Sequence, residues 1–218
     1  MGSSPSNRST VAAAPKRPFY LVLALLGAWV FGASGFVDGC AVIGYYKSDR
    51  VEAVGAFPEV TGNEGRAKVS AAAEHYADVM NTTRHRIFPI AVAAFLLGTV
   101  MVAFAARAMS GRKGGRGGLL QVVSVQTALI VASYFLTTEM RKAETDLHLT
   151  VQIEGLREAQ PAKPESEEVI AMMQRFVRVA PPVFLSVQVL LRLLILLALT
   201  RPRTREFFAA AEERSLEG

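Results

Sequence analysis

Ile87-Phe88-Pro89-Ile90-Ala91-Val92-Ala93-Ala94-Phe95-Leu96-Leu97-Gly98-Thr99-Val100-Met101-Val102-Ala103-Phe104-Ala105-Ala106 runs for 20 residues without a charged side chain. An α-helix rises 1.5 Å per residue, so this stretch is about 30 Å long, the thickness of a bilayer's hydrocarbon core. Three other stretches read the same way. Residues 19–37 carry no charge, and the apolar run continues past Asp38 to Tyr46. Residues 119–138 carry none, and residues 179–200 carry only Arg192. Backbone amides in lipid must find partners within their own segment, so each stretch is expected to be helical. A soluble all-α protein would need far more polar covering than the remaining residues supply.

The expected architecture is an all-α integral membrane protein. It has four transmembrane helices and a small, mainly helical extracytoplasmic cap. The order is an N-terminal tail (1–18), a first span (19–44), a loop (45–86), and a second span (87–107). A short turn (108–118), a third span (119–138), a second loop (139–180), a fourth span (181–200) and a C-terminal tail (201–218) follow. Arg8, Lys16 and Arg17 ahead of an apolar run also describe a signal peptide, but the run is longer than the 7–15 residues such a leader needs.

Charge density sets the expected orientation. Residues 1–18, 107–118 and 201–218 hold 11 Lys/Arg against 4 acids over 48 residues. The two long loops hold 12 against 14 over 84 residues. The positive-inside rule then places both termini in the cytoplasm, as in a bacterial inner (plasma) membrane. The formal charge of +5 is therefore mostly topogenic. No basic helix or basic-aromatic platform suggests a nucleic-acid partner.

In the first loop, Val69, Ala73, Tyr76, Met80, Thr83 and Ile87 recur at spacings of four and three. That stripe predicts one helix over 66–86 running on into the second span, with Pro89 a candidate kink. In the second loop, residues 147–153 alternate, which fits either a short strand or a continuing helix. Ser166 is a candidate N-cap for a helix over 167–179, with Val169, Met173, Phe176 and Val177 on one face. Pro181-Pro182 is expected to break that helix from the fourth span. The two outer helices are expected to pack on each other.

Few residues suggest chemistry. His75, His85 and His148 lack metal-ligand spacing, and the single Cys40 excludes an internal disulfide. No nucleophile elbow, phosphate loop or dinucleotide fingerprint is present. No catalytic residue, cofactor or metal is expected. Asn81-Thr82-Thr83 is a sequon too near the membrane edge for use, and Met1-Gly2 with Ser6 is a short myristoylation pattern. Ala24, Ala28 and Gly32 recur every four residues, and Gly35 and Gly39 form a G-x-x-x-G. Such a face lets helices approach closely in lipid, within the bundle or with a partner protein.

Arg192 is the sharpest lead. Charge within the hydrocarbon costs about 2.5–3.5 kcal/mol on the insertion scale, so such a residue usually faces protein. It lies about 12 Å from Thr200 along its helix, and Gln126 lies about 10 Å from Leu119. An intramembrane polar seam is therefore expected, with Gln126 accepting from Arg192 and Gln188 near Ser133. The function this implies is a non-catalytic accessory, assembly or interaction subunit of a membrane complex. The alternative is a small transporter or channel-forming subunit using the polar face around Arg192.

Overall fold

The computed structural model describes residues 17–47, 62–112, 114–159 and 164–217. The N-terminal tail to residue 16, with the myristoylation pattern and with Arg8 and Lys16 of the signal-peptide pattern, lies outside the described residues. All regular structure among the described residues is α-helical. The helices are α1 (Phe19–Lys47), α2 (Asn63–Met109), α3 (Gly115–Leu136), α4 (Thr138–Ala159), α5 (Pro164–Thr200) and α6 (Pro202–Glu217). Four of them, α1, α2, α3 and α5, are long and apolar enough to cross a membrane. The chain is a multi-pass integral membrane protein.

α1 and α2 pack antiparallel through small residues. A Cβ on Gly39 would sit 2.7 Å from the Ala91 carbonyl oxygen, and one on Gly32 would sit 3.0 Å from that of Gly98. Gly98 mirrors this, since its Cβ would lie 2.5 Å from the Phe36 nitrogen. Ala24 and Ala28 on the same face are buried. The small-residue face of α1 is thus covered by this chain's own α2, where close approach gains van der Waals contact. A partner protein would have to use another surface.

α2 is a single helix of 47 residues, about 70 Å long, and passes through Pro89. Its first half extends well beyond the bilayer. α3 and α4 climb back beside it, separated only by Thr137. Arg141 covers that junction. Its Nη1 donates to the Tyr134 carbonyl at 2.6 Å, and its guanidinium sits 3.7 Å from the Tyr134 ring centroid. Outside the membrane, Val69 and Ala73 of α2 bury against Leu147 and Val151 of α4. Lys68 bridges to Glu154 at 3.5 Å, and at the far tip the Gly62 amide donates to Glu158 Oε1 at 2.7 Å.

One open alternative is decided and three expectations change. Residues 147–153 are helical, because Ala143, Leu147, Val151 and Glu154 form a buried stripe at helical spacing. The α2 stripe is met by α4, not by the 167–179 segment. And α5 does not break at Pro181-Pro182 but runs through both prolines. Ser186 Oγ donates to the Pro182 carbonyl at 2.8 Å just beyond them. Ser166 is not the N-cap, because the helix already begins at Pro164. The C-terminal tail is also ordered: α6 buries Phe207 and Phe208 against Leu21, Ala105 and Leu199 at the bundle end.

Candidate functional site

The fourth span places Arg192 in the bundle interior, where it is 2% exposed. Its Nη1 donates to the Gln188 carbonyl at 3.2 Å and to Gln188 Oε1 at 3.3 Å. Residues four apart share a helix face, so these contacts lie within one turn of α5. The guanidinium also stacks 4.1 Å from the ring centroid of Phe31 on α1. A cation over an aromatic face is attracted by the ring quadrupole, more so where water is excluded.

Gln126 of α3 is likewise 2% exposed. Its Nε2 donates to the Phe31 carbonyl at 3.4 Å. The reach depends on a missing side chain, because a Cβ on Gly35 would lie 2.7 Å from that Nε2. Arg192 and Gln126 therefore converge on the same residue, one at its ring and one at its backbone.

The expected seam forms only in part. Gln126 does not accept from Arg192: Gln126 Oε1 and Arg192 Nε are both buried without a hydrogen-bond partner. Phe31, an apolar residue with no sequence signal to single it out, sits at their meeting point. Ser133 takes no part, because its Oγ donates to the Ile130 carbonyl of its own helix at 2.9 Å. Gln188 faces Arg192 along α5.

The result is a permanent cation in an apolar interior, flanked by one unfilled donor and one unfilled acceptor. Such groups can hold an anion or an ordered water, while repelling cations. Among the described residues no cluster of three His, Cys, Asp or Glu could hold a metal. His75, His85 and His148 all lie on the outer helices α2 and α4.

A second feature lies on the outer half of α5. Val169, Met172, Phe176, Val179 and Val183 are 44–70% exposed and recur at three and four residues. This is the a/d spacing of a heptad, continued inward by Ser186 and Leu190. Within the chain, α5 contributes Ile170 to the core here. The signal was in the sequence, but only the pairing of α2 with α4 leaves this stripe uncovered. No family model, curated protein or solved structure matches the chain.

Proposed function

We propose that the protein is a non-catalytic assembly or interaction subunit of a membrane complex, with both termini in the cytoplasm of a bacterial-type plasma membrane. The orientation rests on the arginine density of the turn and tails. The interaction reading rests on the exposed α5 stripe. If residues 181–200 cross the hydrocarbon, Phe176 stands about 7.5 Å beyond its edge and Val169 about 18 Å. Lipid tails cover apolar side chains inside the bilayer, but Val169 and Met172 lie past them. A helix of another membrane subunit, packed along α5 from the bilayer outward, would cover the whole stripe.

Charge favours a different chain over a second copy. Arg175 occupies the g position beside the stripe. In a parallel pair of α5 helices it would face Ala180 at e, which offers no carboxylate. A partner helix carrying Asp or Glu there would supply one.

The test is a photo-crosslinking residue placed at Met172 in native membranes. The expected product is one discrete adduct with a membrane-spanning protein that has an acid at the matching register, abolished by Phe176→Glu. The same residue at Gln174, on the opposite face, should give none. Equal products at both positions, or only chain-to-chain adducts, would overturn the reading.

The transport alternative draws on the unfilled Arg192 Nε and Gln126 Oε1. It requires anion flux in proteoliposomes that Arg192→Gln removes.

A further inference from the structure

The other half of α5 carries a separate feature. Between α1 and α5 lies a groove of about 630 Å³, within the size range of small-molecule pockets. Its walls are apolar and include Leu23, Leu26, Val30, Leu191 and Leu194. Its long dimension is set by the helices. From Tyr20 to Phe31 on α1 is about 16 Å, and from Leu191 on α5 to Arg201, the residue just after that helix, about 15 Å. Half of a hydrocarbon core of roughly 30 Å is about 15 Å, so the groove is one leaflet deep. Phe31 and Leu191 mark its mid-membrane end, and Tyr20 and Arg201 line its mouth at the arginine-rich end.

That mouth is polar and positively charged. Arg201 lines it, with its guanidinium carbon 5.0 Å from the Tyr20 ring centroid. Tyr20 is itself fixed. Its hydroxyl bonds to Thr204 Oγ1 at 3.2 Å, and that hydroxyl, fully buried, donates to the Ala198 carbonyl at 2.8 Å. Arg17 is held nearby, 5.5 Å from the Phe207 ring. None of the ion pairs among the described residues involves Arg201 or Arg17. Stacking on an aromatic ring orders a guanidinium while leaving its N–H groups open to a phosphate, which it can bind through two parallel hydrogen bonds.

We infer that the α1/α5 groove is a binding site for an anionic phospholipid of the leaflet at the arginine-rich end. One acyl chain lies along the groove and the phosphate sits at Arg201, with Arg17 adding to the field. The charge of the mouth selects anionic over zwitterionic headgroups, and the leaflet-deep apolar wall selects a lipid over a soluble phosphate. This site does not depend on the partner helix proposed for the outer half of α5.

The experiment is native mass spectrometry of the full chain in mild detergent, with equal amounts of phosphatidylglycerol and phosphatidylcholine. The wild type should retain phosphatidylglycerol at least fivefold more. Arg201→Gln should bring the ratio near one, whereas Arg203→Gln, exposed outside the groove, should leave it unchanged. Gly27→Leu, which places a side chain in the groove, should lower retention of both lipids. Circular dichroism of each variant should match the wild type. A variant that fails it is replaced by Arg201→Lys, which should keep more than half of the preference. An equal ratio in the wild type, equal losses in Arg201→Gln and Arg203→Gln, or displacement of the lipid by millimolar inorganic phosphate would overturn the proposal.

Discussion

A methyl group added at Gly98 probes the crossing of α1 and α2 directly. Its carbon would stand 2.5 Å from the Phe36 nitrogen, 2.6 Å from the Gly32 oxygen and 3.0 Å from the Gly35 carbonyl carbon. All three are backbone atoms and cannot rotate away. Carbon contacts settle near 3.5–4.0 Å, so the two helices must part by roughly 1 Å along the crossing. Overpacking of this kind costs about 1–3 kcal/mol, and a backbone clash belongs at the upper end. Alanine recovers up to about 1 kcal/mol of helix propensity over glycine, leaving a net loss of about 2 kcal/mol for Gly98→Ala. Gly44, on the same α1 helix, has nothing within 4 Å of its added carbon. Gly44→Ala should therefore be neutral or stabilise by about 0.5–1 kcal/mol. Reversible unfolding in mixed detergent, followed by circular dichroism, compares the two. Midpoints agreeing within about 0.5 kcal/mol would mean that α1 and α2 do not meet at this glycine.

Other expectations follow from single contacts. Arg192→Leu removes a buried cation whose Nε is unpartnered and should leave unfolding in detergent neutral or more favourable to the fold, whereas a loss above about 1 kcal/mol would mean its contacts outweigh its desolvation. The coupling between Arg192→Leu and Gln126→Leu should stay below about 0.5 kcal/mol, since no hydrogen bond joins them, and a double-mutant cycle measures it. Tyr76 is pushed up to about 12 by burial, with Glu144 adding to the rise, from an ordinary value of 10.0. A raised folded value means its contribution is present below pH 10 and is lost as pH climbs towards 12, so Tyr76→Phe should flatten stability over that alkaline window. For orientation, in a Cys40→Ala background an impermeant thiol reagent outside intact cells should label Ser70→Cys and spare Ser110→Cys.

The spans were legible because lipid imposes one rule on each segment independently: about 20 apolar residues and a closed hydrogen-bond ladder. The α2 stripe from Val69 to Ile87 was legible for a related reason, because periodicity is local. The partner of that stripe was not. Val169 and Phe176 sit at helical spacing just as Leu147 and Val151 do, and only the nearly unbroken ascent of α3 into α4 decides which lies against α2. The prolines at 181 and 182 misled because local propensity argues for a break, while membrane helices pass through proline where neighbouring groups take up the freed carbonyls. α6 was hidden by its arginines, although Phe207 and Phe208 marked a buried edge. At the candidate site, a lone charge in an apolar run was enough to pick out Arg192. Its neighbours depend on the register between helices, which the pattern within one segment does not fix.

The outer stripe of α5 is proposed to join this chain to another membrane subunit. The most direct measurement is the protein mass of the particle extracted from native membranes in lipid nanodiscs, for the wild type and for Phe176→Glu. The expected wild-type particle is heavier than the 23.5 kDa chain by one defined partner, and the Phe176→Glu particle has lost that mass while keeping its helical content. Equal masses for the two, at the value of a single chain, would contradict it.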